Sequence, residues 1–351
     1  MKLKNFVKRL KNFYFDSNRK KALLILQEVV QLFIKTKSFP FHYFIKFLYR
    51  QEIAEIDNFL DLKQERKIMS KSRRYTPIIV DRVASNKLLF HLYLNKTKVT
   101  APKLIGWNLR DSFYSNSERD EYQYLSESEF HQLLTDSIKE GENVFYKPVT
   151  GMGGIGCGRI SAENVVDFDL NTISQGDYIF EREIKQHQSV DHIYSKSLNT
   201  IRFITYFDQK NKDLVFLASL MRFGVNNQSV DNASYGGVFV PVNTGTGQLL
   251  KYGYSHMHYG GIKRECHPDS GIRFNNFQIP YFNEILTMVR ENIKYYPGVL
   301  LGWDVGISPH GPVLVELNSL PGLMGADISY GGLKSHPEFY KIEDYLKGSY
   351  R

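Results

Sequence analysis

Cysteine is scarce in this chain, since only Cys157 and Cys266 occur among its 351 residues. Two cysteines are too few for a disulfide framework or for a zinc site with four thiolate ligands. A chain with so few cysteines is typical of the reducing cytoplasm, which is the location we expect for this protein.

Long apolar runs are also missing. The longest apolar stretch, residues 22–34, is interrupted by Gln27, Glu28 and Gln31, so it is too short and too polar to span a bilayer. Residues 1–10 lack the uninterrupted apolar segment and the small-residue cleavage site of a secretory signal. We therefore expect a protein without a transmembrane helix that stays inside the cell.

Positive charge is plentiful but unevenly placed. The formal net charge is +8, and eight cations lie within the first 21 residues, namely Lys2, Lys4, Lys8, Arg9, Lys11, Arg19, Lys20 and Lys21. Apolar residues alternate with them, which predicts a basic amphipathic segment. Such a segment rests on an anionic membrane at the inner face of the cell, binds a polyanion, or is a solvated helix that packs on its own protein.

The chain changes character near Pro77. Residues 1–71 have the apolar spacing of helices, with a break at residues 39–41 (Phe-Pro-Phe). Beyond Pro77, short β-branched and aromatic runs alternate with glycine-containing loops, which predicts an α+β domain. Strands are expected at 144–148, 158–160, 178–183, 200–207, 214–223, 237–241, 300–307 and 313–317, and helices at 86–95, 126–137 and 280–295. The polar segment 108–123 is expected to be an exposed loop.

A glycine-rich segment, residues 151–156, matches G-x-G-x-x-G. A dinucleotide-binding loop of that form opens a long helix, whereas this one runs into the strand-like segment 157–160. No Lys-Ser or Lys-Thr follows the glycines, so it is not a P-loop either. Lys147 precedes it at the end of a predicted strand, and a hairpin of this kind can fold over a nucleotide, with backbone N–H groups and one cation on the phosphates. The alternative is a mobile hairpin that binds nothing.

Near the C-terminus a strong turn, residues 308–312, separates two apolar strands and predicts a β-hairpin. Glu316 and Asn318 are two residues apart, so they share one face of their strand, and the hairpin brings Asp304 near them. Three oxygen donors of this kind suit Mg²⁺, which completes its shell with phosphates and water. The alternative is a polar stripe facing solvent.

Further segments allow a comparison by motif. They are residues 86–90 (Asn-Lys-Leu-Leu-Phe) with 100–104, residues 179–187, residues 197–202 (Ser-Leu-Asn-Thr-Ile-Arg), residues 221–224 with 230–232, and residues 266–271. Their order along the chain, together with the glycine loop and the carboxylate hairpin, resembles the ATP-grasp superfamily. The closest likeness is to its sugar-transfer-associated branch, which is linked to polysaccharide biosynthesis and related to α-L-glutamate ligases. The resemblance covers residues 80–340.

This resemblance implies an ATP-grasp fold, in which two α/β subdomains grip ATP. We predict three parts: a helical N-terminal region at 1–75 in place of a Rossmann-like front domain, an N-terminal ATP-grasp subdomain with the glycine loop at 76–190, and a C-terminal subdomain with the Mg²⁺-binding hairpin at 191–351.

The resemblance also implies roles for individual residues. ATP contacts are expected from Lys87, Lys147, Gly151, Gly153, Gly154, Glu181, Arg182, Glu183, Ile184 and Asn199, where Glu181 and Glu183 can exchange roles. Lys147, Arg202 and Arg222 are expected to stabilise the transferring phosphoryl group, and Asp304, Glu316 and Asn318 to hold one or two Mg²⁺, or Mn²⁺. Asp231, Asn232 and His267 are the expected substrate contacts. His187, His256, His258 and His267 remain alternative bases for the amine.

The implied reaction is carboxylate–amine ligation through an acyl phosphate. The expected substrates are an amino acid or amine and a carboxylated sugar or cell-surface glycan precursor. A second interpretation keeps the ATP site but makes the protein a kinase that phosphorylates a hydroxyl. A nucleic-acid binder would explain the pI of 9.1, but no nucleic-acid motif is present, so we expect no nucleic-acid partner.

Overall fold

The computed structural model describes residues 2–94, 97–116, 122–139, 142–151, 153–231 and 233–347. The helices are α1 Lys2–Phe15, α2 Ala22–Thr36, α3 Phe41–Ile45, α4 Leu62–Tyr75, α5 Ile78–Val83, α6 Lys87–Leu94, α7 Glu127–Lys139, α8 Gln188–Ile193, α9 Phe282–Asn292, α10 Met324–Ser329 and α11 Phe339–Lys347. The strands are β1 Leu104–Leu109, β2 Ser112–Asn116, β3 Tyr122–Leu125, β4 Val144–Pro148, β5 Gly158–Ile160, β6 Asp177–Arg182, β7 Thr200–Asp208, β8 Asp213–Phe223, β9 Val238–Pro241, β10 Gly253–Tyr254, β11 Lys263–Arg264, β12 Leu300–Ser308 and β13 Gly311–Asn318.

A six-stranded antiparallel sheet, in the order β3-β2-β1-β6-β4-β5, forms the first of two layers. Helix α7 covers one face of it, where Phe130 and Leu134 pack with Phe113 and Phe180 in one buried cluster. The β4-β5 pair is the predicted glycine hairpin, with Tyr146 opposite Gly158. This sheet therefore holds the glycine loop at its edge.

The second sheet is antiparallel and has seven strands, in the order β11-β10-β9-β8-β7-β12-β13. Its larger core packs against α9 and includes the fully buried Trp303, whose Nε1–H donates to the Thr205 hydroxyl over 3.0 Å. The predicted β12-β13 hairpin is confirmed, and Asp304 lies opposite Glu316. In the register of the central strands, Asp304 of β12 lies opposite Arg202 of β7.

The described chain before Leu104 consists of helices joined by turns and loops, and its one β pairing is an isolated bridge between Arg19 and Arg50. Lys46 fastens this region to α10, because its buried ammonium donates to Asp327 over 2.7 Å and to the Leu60 carbonyl over 2.8 Å. Within the described residues, no helix has both the length and the apolarity needed to cross a membrane. The predicted boundaries at residues 75 and 190 stay predictions.

The expectation of an exposed loop at 108–123 is wrong. Its described residues belong to a β-meander, with Phe113 opposite Leu125 between β2 and β3. Asn108 is fully buried because its amide donates to the carbonyls of Arg110 and Gly176, and its oxygen accepts from Tyr178 N–H. The polar composition of the segment indicated a loop, but strand pairing places it in the sheet, where Asn108 also bonds to the distant Gly176 and Tyr178.

The buried His42 on α3 makes stability depend on pH. Burial, followed by the charge of Lys46, lowers its pKa from 6.5 to about 4. In the unfolded chain, His42 therefore binds a proton below about pH 6.5, whereas in the native protein it stays neutral down to about pH 4. We expect the free energy of unfolding from urea titrations to fall as pH drops through this window, and His42→Phe to flatten the fall. An unchanged slope in the variant would contradict the assignment.

Candidate active site

A cavity of about 780 Å³ lies between the two sheets. The first sheet and α6 contribute basic and acidic side chains, and the second sheet contributes two arginines and three oxygen donors. Predicted residues that line it are Lys87, Lys147, Gly151, Gly153, Gly154, Glu181, Arg182, Glu183, Arg202, Arg222, Asp231, Asp304, Glu316 and Asn318, together with Ile184. Residues from most of the chain's length thus converge at one place.

The glycine loop forms one wall of this cavity. Gly151, Gly153 and Gly154 have φ angles of 126°, 87° and 79°, a region that side chains with a Cβ rarely adopt. A Cβ on Gly154 would also stand 2.6 Å from a methyl carbon of Val230. The loop therefore reaches across to the segment after β8 and covers the cavity only because it is built of glycine.

Lys147 on β4 is held by a buried carboxylate on β6. Its ammonium lies 2.8 Å from Glu181 Oε2, while His91 on α6 contacts the other carboxylate oxygen. Burial alone would raise the pKa of Glu181, but Lys147 and His91 outweigh it and hold that pKa below its usual range. The Lys147 charge is consequently fixed in position inside the cavity.

Lys87, at the start of α6, connects the glycine loop to the carboxylate hairpin. Its ammonium donates to the Gly151 carbonyl over 3.1 Å and stands 3.7 Å from Glu316 Oε2. Lys87 therefore bridges the glycine loop of the first sheet and strand β13 of the second.

Asp304 on β12 binds two arginines from neighbouring strands. Arg202 donates to both of its oxygens, over 2.6 and 2.5 Å, and Arg222 lies 3.2 Å from Oδ2. Burial would raise the pKa of Asp304, but the two guanidinium groups lower it well below its usual range. The carboxylate stays ionised at neutral pH, and its contribution to stability is lost only in strong acid.

Asp231 and Thr200 extend this network. Asp231 Oδ2 accepts from the Thr200 N–H over 2.9 Å and from its hydroxyl over 2.6 Å, and lies 3.5 Å from Arg222 Nε. The Arg222 guanidinium also contacts the Thr200 hydroxyl. Asp231, a predicted substrate contact, therefore lies beside the two predicted catalytic arginines.

The three predicted metal ligands lie together. Asn318 donates to Asp304 Oδ2 over 3.2 Å and to Glu316 Oε1 over 3.3 Å. Carboxylate and amide oxygens are ligands that Mg²⁺ accepts, and the Glu316 side chain is 29% exposed, so its oxygens are accessible from the cavity. Asp304 is less accessible because both oxygens already accept from arginine. Among the described residues, no three His, Cys, Asp or Glu side chains cluster as a metal site, so the predicted set of three ligands stays a prediction that relies on the amide oxygen of Asn318.

The segment after β6, which contains the predicted ATP contacts Glu183 and Ile184, is held by hydrogen bonds at both ends. Glu183 N–H donates to the Asn143 carbonyl over 2.8 Å, and the Glu183 carboxylate accepts from the Asn143 amide over 2.7 Å. Gln186 Oε1 accepts from Asn199, over 2.6 Å from its backbone N–H and 3.0 Å from its amide. Unlike Glu181, Glu183 is not buried.

Several predicted residues are not brought to the cavity. Asn199 is fully buried and positions Gln186 from behind. His267 is buried against the Gly224 carbonyl at 2.8 Å, and burial lowers its pKa. The other three candidate bases, His187, His256 and His258, are also absent from the lining. Asn232 lies outside the described residues.

His91 and Thr200 are site residues that we did not predict. His91 is four residues after Lys87, so the predicted helix already placed both on one face. Thr200 belongs to the Asn-Thr-x-Arg segment, two residues before Arg202 on the same face of β7. The helical spacing of His91 from Lys87 and the strand spacing of Thr200 from Arg202 were therefore the sequence signals that could have predicted these two residues.

The family assignment follows from a sequence model described as "Sugar-transfer associated ATP-grasp", which matches residues 70–338. This chain belongs to that family. The membership confirms the predicted branch, the α+β ATP-grasp fold and the prediction of an ATP-grasp enzyme. No curated protein sequence matches the chain significantly.

Solved structures with a similar fold include proteins named as ligases and synthetases. D-alanyl-alanine synthetase A of Vibrio cholerae is 11% identical over 78% of this chain and 67% of its own, with a TM-score of 0.47. D-alanine–D-alanine ligase of Bacillus anthracis is 14% identical over 78% and 72%, with a TM-score of 0.43. The ATP-grasp ligase PsnB, complexed with minimal precursor, Mg and ADP, is 11% identical over 75%, with a TM-score of 0.40, and this chain covers only 59% of its length. All three TM-scores are low, so the family match carries the assignment.

Asp304 and Glu316 are predicted to differ in their effect on stability. Asp304→Asn leaves the partly buried Arg202 without its carboxylate partner and Arg222 with only Asp231, at 3.5 Å, and we expect the free energy of unfolding to fall by about 3 kcal/mol. Glu316→Gln, the matched control on the paired strand, should cost less than about 1 kcal/mol because its ion pair is long and partly exposed. Urea titrations at neutral pH measure both. Equal losses would contradict the account of Asp304.

Proposed function

We propose that this protein is an ATP- and Mg²⁺-dependent ligase that joins an amine to a carboxylate through an acyl phosphate. The observation that carries the proposal is the convergence of four cations, Lys87, Lys147, Arg202 and Arg222, with Glu316 on one cavity between two sheets. Phosphoryl transfer depends mainly on positioning and charge neutralisation, and this set of side chains can supply both.

The reaction has two steps. A carboxylate oxygen of one substrate attacks the γ-phosphorus of ATP, the bond to the β-phosphate oxygen breaks, and ADP leaves. The amine nitrogen then attacks the acyl carbon, phosphate departs with the bonding electrons, and the nitrogen loses a proton to give the amide.

In the first step, Lys147 and Lys87 face the phosphates from the glycine-loop side, and Arg202 and Arg222 stabilise the transferring group from the second sheet. Glu316 and Asn318, with Asp304 behind them, would hold Mg²⁺, which supplies further positive charge to the phosphate oxygens. Mn²⁺ has the same ligand preferences. The roles of these side chains, and the number of ions, remain part of the proposal.

The glycine loop would close over the bound nucleotide and keep water from the acyl phosphate. Its reach to Val230 supports this role, since the contact already joins the two walls of the cavity. Asp231, next to Val230, is suited to contact the incoming amine because a carboxylate attracts an ammonium group.

The substrate that supplies the carboxylate is proposed to be a carboxylated sugar or glycan precursor. The description of the family supports sugar-related chemistry. A groove of about 930 Å³ adjoins the cavity and shares Leu320 and Gly322 with it. Arg66, Arg73 and Arg74 of α4 line the groove against the carboxylates of Glu65 and Asp81. An anionic substrate would be attracted there. The cytoplasmic location expected from the sequence stays a prediction.

Glu316→Gln tests the nucleotide site. We expect this variant to fold normally but to lose Mg²⁺-dependent ATP turnover, because one carboxylate ligand becomes a neutral amide. Turnover is measured as ADP release with added carboxylates, in the presence and absence of Mg²⁺. Wild-type turnover in the variant would defeat the assignment.

Hydroxylamine distinguishes a ligase from a kinase. As a small amine it should intercept the acyl phosphate and give a hydroxamate from the carboxylate substrate, with one ADP formed per hydroxamate. A stable phosphate ester, formed without any hydroxamate, would instead favour the alternative in which the protein phosphorylates a hydroxyl.

Arg74→Ala tests the groove. With the carboxylate that gives hydroxamate, we expect KM for that substrate to rise about tenfold while kcat stays unchanged, because a charged contact made equally in the ground and transition states is lost. Lys67→Ala is the matched control, since Lys67 is an exposed cation of α4 outside the groove lining. Equal effects of the two substitutions would argue against the groove as the substrate site.

A further inference from the structure

Helix α2 carries an apolar face that packs against nothing in the described structure. Its inward face, with Ile25, Val29 and Leu32, packs into a buried cluster with Tyr43 and Phe47. Its outward face consists of Leu23, Leu26, Val30, Phe33 and Ile34, which are between 47% and 67% exposed. The spacing of three and four residues places them in one stripe along the helix. A helix that is apolar on both sides needs a partner for its outer face.

Helix α1 presents a second stripe of the same kind. Val7, Leu10 and Tyr14 are exposed and lie three and four residues apart. Phe13, in contrast, points inward, with edge contacts to Phe44 and Tyr49 at ring-centroid distances of 5.2 and 4.8 Å. The sequence suggested a basic amphipathic segment limited to the first 21 residues, whereas the structure shows the larger apolar face on α2.

Exposed aromatic rings follow α2 and link it to α1. Phe39 and Phe41 are about half exposed, and their rings lie 4.7 Å apart. The Phe39 ring also stacks on the Phe44 ring, with their centroids 6.0 Å apart, and Phe44 in turn contacts Phe13 of α1. We call the outward face of α2, together with the exposed rings of Phe39 and Phe41 that follow it, the apolar platform.

The first 50 residues, which include the platform, carry mostly positive charge. Asp16 and Glu28 are the only acidic residues before Gln51. Both are engaged internally: Asp16 with Arg50 at 2.8 Å, and Glu28 with Lys20 at 2.8 Å and with the Tyr43 hydroxyl. The exposed cations of these helices and their ends are Lys8, Lys11, Lys21, Lys35 and Lys37, of which Lys21, Lys35 and Lys37 adjoin the platform in sequence. Of these, Lys35 pairs with the exposed Asp57 at 2.7 Å.

We infer that the platform docks on the surface of an anionic lipid bilayer, with the outward face of α2 inserted at the headgroup boundary. Apolar side chains flanked by lysines are the combination that interfacial helices use, because burial of apolar area adds to attraction by anionic headgroups. Two copies of this chain joined through the same face would instead bring their lysines together without compensating carboxylates. The inference does not depend on the proposed ligase activity.

Flotation of the full-length protein with lipid vesicles tests this inference. We expect binding to phosphatidylcholine vesicles that contain phosphatidylglycerol, little binding to phosphatidylcholine alone, and weaker binding at high salt because the lysines are screened. The double variant Leu26→Ser/Phe33→Ser should reduce the partition coefficient by about tenfold or more, since two apolar side chains no longer insert.

The control is Val166→Ser, which removes an apolar side chain that is even more exposed than Leu26 and Phe33 and lies far from the platform in sequence. It should leave binding unchanged, and thermal melting followed by circular dichroism checks that all variants fold. Failure of the wild-type protein to float with anionic vesicles would overturn the inference, as would undiminished binding of the double variant. Concentration-dependent dimerisation that the double variant abolishes, without vesicle binding, would assign the platform to a second copy of the chain.

Discussion

The candidate active site depends on one buried carboxylate and its two guanidinium partners. Asp304 on β12 binds Arg202 on β7 and Arg222 on β8, so three strands of the second sheet are tied together where they meet the cavity. A lone charge at this depth would be costly, but each charge here has its counter-charge. The orientation of both arginines, and through Arg222 that of Thr200 and Asp231, follows from this one group.

The first sheet uses the same device on the opposite wall. Glu181 holds Lys147 there, with His91 on its other oxygen, and Lys87 stands between the glycine loop and Glu316. Cations that are fixed by carboxylates before a ligand arrives need little rearrangement when phosphate binds, which is the condition for effective electrostatic stabilisation. The glycine loop has positive φ angles at Gly151, Gly153 and Gly154, and backbone in such conformations can form a concave anion site with successive N–H groups. The two walls are thus similar in chemistry although they come from different sheets.

Much of the site was predictable because it is built from local patterns. The β12-β13 hairpin follows from two apolar strands around a turn, and the alternation along β13 places Glu316 and Asn318 on one face. The loop at 151–156 was separable from other glycine motifs by the strand that follows it. Asn108 shows the opposite case: a polar residue in a polar segment that is nevertheless buried, because its partners Gly176 and Tyr178 are about seventy residues away.

The sequence by itself determined the family, the order of the motifs and the two hairpins, because residue type and short-range spacing decide turns, strand faces and helix faces. Only the tertiary structure showed that Asp304 forms ion pairs with two arginines. It also showed that Asn199 and His267 do not line the cavity and that α2 exposes an apolar face. These features depend on contacts between residues far apart along the chain, or on the lack of such a contact, and strand pairing and helix docking set those distances.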